Sequence, residues 1–356
     1  MSRTSLRNAL LTAAALAVTT LAAPSAAAAP EPGFETLTPL CSPSPPVHHP
    51  SCRVPAKGAQ LPSGTPNQVV QLSGADRFAT AATIAAHGFP EADVAVLVSG
   101  EDRHLVDALS AGPLARSLAA PVLLATRDAV PAATADYLRT TGVQSVLLVG
   151  GEDALSATTA QRLRALGIGD VQRLAGADRY ATSRAVAAFM PTKTHGWVAS
   201  GEDAHLVDAL AAAGPAARLG EPLVLVADDD PIPAGEALRA RGVTEVTVAG
   251  GPEGVFPEAL AALPMPHRAA GEDRYGTAAA LAVEAVERGV PAEDVVFAPG
   301  VTGHLVDALA AGPLGRATLL AGDQQSSFDV VEAWFDTYGS WRVTAVGAVE
   351  IDGGDA

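Results

Sequence analysis

The sequence is nearly without lysine. Of its 23 basic residues, only Lys57 and Lys193 are not arginine. Acidic residues number 39, so the formal net charge is −16. That balance excludes a basic nucleic-acid footprint and simple adsorption to an anionic membrane. The arginines that are present suit forked contacts with carboxylate or phosphate. Cysteine is also scarce: Cys41 and Cys52 are the only two. They lack C-x-x-C spacing, which excludes the usual thiolate metal site, and their place in a linker excludes a cysteine nucleophile. No G-x-G-x-x-G, Walker or G-x-S-x-G pattern occurs, so the common nucleotide and acyl-transfer signatures are missing. Aromatics make up 4% of the chain, so no single segment has much bulk from which to build a core.

Long apolar runs are absent except at the start. Arg3 and Arg7 precede an apolar stretch from Ala9 to Ala23, and small residues run from Ser25 to Ala29. That order reads as a secretory signal peptide over 1–28. The run is shorter than the ~20 residues a membrane span requires. An A-x-A pair places cleavage near Ala28, and the separated arginines do not indicate a twin-arginine route. Removing Arg3 and Arg7 takes the net charge from −16 to near −18. Residues 29–68 form a Pro-rich linker. In an oxidising compartment Cys41 and Cys52 pair as a clip worth about 3 kcal/mol; two free thiols are the alternative.

From Val69 the chain repeats itself. Leu72–Ala85 (LSGADRFATAATIA) returns at Leu174–Ala187 and Ala269–Ala282. His104–Ala115 (HLVDALSAGPLA) returns at His205–Ala217, with one extra alanine, and at His304–Gly315. Ser145–Ser156 (SVLLVGGEDALS) returns at Glu245–Phe256 and, weakened, at Arg342–Ile351. The order is the same each time, which divides the chain into repeats at 69–169, 170–266 and 267–356, the last one truncated.

Each repeat reads as α/β. Val94–Ser99, Pro121–Ala125 and Val146–Val149 are continuous apolar runs, the pattern of strands buried on both faces. Asp102 is expected to cap a helix reaching Leu118, with Asp203 and Thr302 at the matching places. Pro131 opens another helix that Gly142 ends. Ser156 caps a fourth reaching Leu166. Strands alternating with helices imply a parallel sheet covered on both faces. Ala-rich units of this size bury little alone, so three of them are expected to pack together.

The motifs G-A-D-R-[FY]-A-T, S-G-E-D, D-A-L-[SA]-A-G-P, P-V-L-L-A and V-G-G resemble the cell wall binding repeat of type 2, found in surface proteins of Gram-positive bacteria. The resemblance covers Val69 to Val349. It implies Toprim-like or Rossmann-like units packed as a pseudo-threefold trimer. It also implies non-covalent attachment to the wall through an anionic secondary polymer. Three departures stand out. His-Leu-Val precedes Asp-Ala-Leu in every copy; the third copy has Gly347–Ala348 in place of Gly-Gly; and after Val349 no room is left for a fourth helix.

Two sets of residues recur as site candidates. Asp76–Arg77, Asp178–Arg179 and Asp273–Arg274 sit between a turn glycine and a helix. The aspartates are helix caps and the arginines are either ion-paired scaffold or grips for an anion. His104–Asp107, His205–Asp208 and His304–Asp307 stand at i, i+3 on one helix face. They serve an inter-repeat contact or, brought together at a threefold centre, a shared site. No third ligand type recurs at fitting spacing, so no metal and no cofactor is expected. Near-equal copies suit distributed binding better than one catalytic centre. The expectation is a secreted, wall-associated, non-enzymatic protein that binds an anionic glycopolymer. The alternatives are a surface scaffold and an enzyme with a His–Asp site. Oligomeric state and the identity of the polymer are left open.

Overall fold

The computed structural model describes residues 68–301, 305–339, 342–347 and 349. The signal-peptide segment, Cys41, Cys52, Thr302 and His304 lie outside them.

The first copy runs β1 (Gln68–Leu72), α1 (Arg77–Gly88), β2 (Val94–Ser99), α2 (Leu105–Ala108), α3 (Ala111–Ser117), β3 (Val122–Ala125), α4 (Ala132–Thr141), β4 (Ser145–Val149) and α5 (Ala157–Ala165). The second runs β5 (Asp170–Leu174), α6 (Arg179–Phe189), β6 (His195–Ser200), α7 (Leu206–Leu219), β7 (Leu223–Val226), α8 (Ile232–Ala240), β8 (Glu245–Ala249) and α9 (Pro257–Leu260). The third runs β9 (Pro266–Ala269), α10 (Arg274–Glu287), β10 (Asp294–Pro299), α11 (Leu305–Ala311), β11 (Ala317–Ala321), α12 (Gln325–Tyr338) and β12 (Arg342–Val346).

Most of the expected starts and stops appear. Gly142 ends α4 at φ +74°, a left-handed conformation that costs glycine little. Ser156 caps α5, its hydroxyl accepting from the Thr158 N–H at 3.1 Å. Pro131 stands one residue before α4 rather than inside it. The helix expected from Asp102 is different. Asp102–His104 is a 3₁₀ turn, and the stretch beyond it is split between α2 and α3. Asp102 and Asp203 make no cap, because their carboxylates are taken by arginines of the same repeat.

The strands form three parallel sheets, ordered β3-β2-β4-β5, β7-β6-β8-β9 and β11-β10-β12-β1. Each sheet closes on the strand that precedes the next G-x-D-R motif. The strand and the motif that follow one another in sequence therefore serve different sheets. The third sheet is completed from the chain's other end, with β1 pairing β12 from Gln68↔Arg342 to Leu72↔Val346. The fourth strand of the third sheet is thus β1 of the first copy, and the ring closes there.

Both faces of each central strand are buried, which explains the unbroken apolar runs. In β2, Val94, Val96 and Val98 join a core shared by all three units, while Ala95 and Leu97 join the unit's own outer core. The shared core forms where the D-A-L helices meet around the pseudo-threefold axis. Leu105, Leu109, Leu206, Leu210, Leu305 and Leu309 converge there. Leu109, Leu206, Leu210 and Leu309 are buried, each stabilising by roughly 2 kcal/mol, while Leu105 and Leu305 are partly buried. Small residues let the backbones approach: a Cβ on Gly112 would lie 3.4 Å from Gly312 Cα and 3.5 Å from Ala213 Cβ. The extra alanine of the second copy puts Ala213 at this contact. It moves Gly214 to the Arg316 carbonyl, 2.4 Å from an added Cβ.

The first helix of each unit packs on the central helix of the unit before it: α6 on α2 and α3, α10 on α7, and α1 on α11. The seams differ chemically. Between units two and three lies a buried network. Glu221 accepts from Trp197 Nε1 at 2.8 Å and from Arg288 at 2.5 Å, and lies 3.0 Å from His195 Nδ1. Thr247 links His195 Nε2 at 3.1 Å to Glu284 at 3.3 Å, and His267 lies 3.5 Å from Glu284. The matching positions of the first unit are apolar, with Val94 for His195 and Leu147 for Thr247. In the third, Arg316 pairs with Asp294 at 3.0 Å and donates to Thr344.

Candidate functional site

The G-x-D-R-[FY]-x-T motif is one connected device. Gly74, Gly176 and Gly271 donate their N–H to the hydroxyls of Thr80, Thr182 and Thr277 at 3.0–3.1 Å. Asp76, Asp178 and Asp273 cap α1, α6 and α10, accepting backbone N–H groups at 2.6–3.0 Å. The aromatic packs on the glycine that ends the next strand. A Cβ on Gly100, Gly201 or Gly300 would lie 2.8, 2.3 or 2.6 Å from Phe78, Tyr180 or Tyr275, so no side chain fits there. The arginine reaches the same glycine: Arg77, Arg179 and Arg274 donate to the carbonyls of Gly100, Gly201 and Gly300 at 2.7–2.8 Å.

The arginines then diverge. Arg77 also pairs with Asp102, and Arg179 with Asp203 at 2.6 Å. Exposed pairs of this kind are worth about 0–1 kcal/mol. The third copy has Val301 and Thr302 where the others have Glu-Asp. Arg274 has no carboxylate within ion-pair distance among the described residues. All three arginines are half-buried.

Leucines occupy the threefold centre. Among the described residues, Asp208 with His205, and Asp307, lie instead beside the glycine turn that ends the third strand of their unit. Asp208 is 7% exposed and packs on Gly250, where a Cβ would lie 2.4 Å from its Oδ2. His205 faces Gly254, 3.4 Å from an added Cβ. Asp307 lies in the same way on Gly347. His304 and the Asp107 side chain are outside the described residues. Burial pushes the Asp208 carboxyl up to about 6, against the opposing pull of His205 and of Arg274 from the next repeat. The two motif sets therefore come together across a seam, with Asp208 and His205 of one unit near Arg274 of its successor.

The turns themselves are braced from the sheet edge. Arg173 donates to the carbonyls of Gly150 and Leu155, each at 2.6 Å, and Arg268 to those of Gly250, Gly251 and Val255 at 2.5–2.8 Å. In the third unit Gln71 does this from β1, donating to Gly347 at 3.0 Å. A further recurrent set escaped the sequence reading: Arg116, Arg218 and Arg316 follow the three G-P steps. Arg116 donates to the Pro313 and Leu314 carbonyls at 3.0 Å, bridging the first and third units. Its fixed distance after each G-P step was the signal. No group of three or more His, Cys, Asp or Glu is placed to hold a metal among the described residues.

A family model described as cell wall binding domain 2 matches residues 71–160, 173–263 and 268–351. The chain is 31% identical over 214 residues to the N-acetylmuramoyl-L-alanine amidase LytC of Bacillus subtilis (strain 168), covering 60% of this chain and 42% of that protein. It therefore spans less than half the length of this curated relative. Two solved structures from Clostridium difficile share the fold. Cwp6 gives a TM-score of 0.70 at 24% identity, covering 83% of this chain and 49% of that one. Cwp8 gives 0.68 at 28% identity, covering 79% and 49%. With the same three-unit architecture in these neighbours and a family model matched once per repeat, the chain belongs to the cell wall binding domain 2 family.

Proposed function

We propose that this chain is exported and attaches non-covalently to the cell wall by gripping an anionic wall polymer at its inter-repeat seams. The observation that carries this reading is the arginine at one corresponding place in every repeat, half-buried and held by a strand-end carbonyl, within a family defined by wall binding. A guanidinium fixed by one carbonyl keeps further N–H donors in a planar fork, the geometry that suits phosphate or carboxylate. Linked weak contacts of this kind raise avidity by about 10²–10⁴ without any single tight site. Net acidity does not oppose this, because charges more than about 8 Å away are largely screened at physiological ionic strength.

The scaffold reading draws on one observation: Arg77 and Arg179 are already engaged by Asp102 and Asp203. The two readings separate in a sedimentation assay with purified walls, before and after chemical removal of their anionic polymers. Polymer binding predicts loss of the protein from stripped walls, whereas a chain that binds stripped and intact walls alike is not held by those polymers.

A further inference from the structure

We infer that anion binding is concentrated at one of the three seams, where the third repeat meets the second, with Arg274 as the principal contact. This rests on the wall-polymer reading and assigns its main residue.

The inference comes from how the three copies differ. In the first copy Arg77 holds the Gly100 carbonyl and the Asp102 carboxylate, and in the second Arg179 holds Gly201 and Asp203. An incoming anion at either place must displace a carboxylate that already sits in the fork. Each of these loops carries a second carboxylate. Glu101 accepts the Arg127 N–H at 2.9 Å, and Glu202 accepts the Tyr180 hydroxyl at 2.6 Å. The third copy has lost both, reading Pro299-Gly300-Val301-Thr302-Gly303 where the others read Ser-Gly-Glu-Asp.

Arg274 nevertheless keeps the bond to the strand-end carbonyl, 2.8 Å to Gly300, so its position in the fold is unchanged. What has changed is its electrostatic partner. Asp273 beside it is committed to the Tyr275 and Gly276 N–H groups. Asp208 across the seam is buried under Gly250. A half-buried guanidinium that is held by one carbonyl and has no carboxylate in its fork among the described residues is the arrangement that accepts a phosphate or carboxylate. The partly exposed Val301 replaces a glutamate in this loop, removing a repulsion for such a group.

The test is an affinity series on the full chain with two soluble probes, poly(glycerol phosphate) and polyglucuronate, which separate phosphate from carboxylate as the source of charge. Arg274→Ala lowers affinity for the bound probe about tenfold or more, the scale of one charge-assisted contact. Arg77→Ala and Arg179→Ala change it by less than about twofold on that scale. Thr302→Asp leaves the arginine in place and supplies a carboxylate at the position that pairs it in the other two copies, so it reproduces the Arg274→Ala loss even if deletion of the arginine disturbs folding. Conversely, Asp203→Thr frees Arg179 and strengthens binding. Equal losses for all three arginines, or full binding by Thr302→Asp, overturn the inference and leave the polymer reading standing. A wild-type chain that binds neither probe overturns both.

Discussion

Asp208 tests the seam geometry through the energy of burying a carboxylate. Its pKa rises from an ordinary 3.8 to about 6, chiefly through burial. Because the folded value lies above the unfolded one, the native state holds a proton over an interval where the unfolded chain has released it. The stability this provides is complete below the unfolded pKa and is lost as pH rises through about 6. A shift of about two units corresponds to about 3 kcal/mol lost by pH 7. Asp208→Asn keeps the side-chain shape and removes the charge. The variant is therefore more stable than the wild type by about 1 kcal/mol at pH 4.5 and by about 3 kcal/mol at pH 7. For a protein of this size the latter raises the melting temperature by about 6 °C. Thermal melts of both proteins from pH 4.5 to 8 give the difference directly, and titrating groups not coupled to Asp208 cancel because both proteins share them. A difference that stays flat with pH, or a variant less stable than wild type at pH 7, refutes the burial argument.

Other predictions follow from the same geometry. Gly250→Ala costs about 2–4 kcal/mol in denaturant unfolding, because the residue sits at φ +104° with its Cβ position against Asp208. Gly251→Ala shifts the same midpoint by no more than about 0.5 kcal/mol, since nothing lies within 4 Å of its Cβ position. Leu72→Ala costs about 2–5 kcal/mol if β1 is a true member of the third sheet, and a cost below about 0.5 kcal/mol would mark it as a detachable extension. At the second seam, the hydrogen bond to Glu284 raises the His267 pKa against the effect of burial. Glu284→Gln therefore lowers the His267 titration midpoint in an NMR pH series, and an unmoved midpoint contradicts the pairing.

The central strands and the division into three units were legible because the apolar runs and the repeat order are both written in consecutive residues, whereas closure into a ring came only as what the family resemblance implies. The edge strands were not. Gln68–Leu72, Asp170–Leu174 and Pro266–Ala269 carry Gln, Arg, Asp or His at exposed or half-buried places, so their composition reads as loop. Their pairing partners belong to the preceding unit, or for β1 to the far end of the chain, which no local pattern reveals. The second glycine of the V-G-G block recurs in the first two copies, yet the space around Gly151 and Gly251 is open, so recurrence there does not mark a steric need for glycine. Asp102 and Asp203 looked like helix caps because their neighbours are helical. Their use by Arg77 and Arg179 needed the fold, which brings residues about 25 positions apart to one loop. The His195–Glu221–Glu284 network was passed over for the opposite reason: it occurs in one copy, and a reading built on what recurs gives no weight to what does not.

Attachment of the chain to wall polymer is tested most directly by the purified mature protein sedimented with cell walls whose anionic polymers are intact or chemically removed. The expected result is that the protein pellets with intact walls, stays in solution with stripped ones, and is released from intact walls by rising salt. Undiminished pelleting with stripped walls would contradict it.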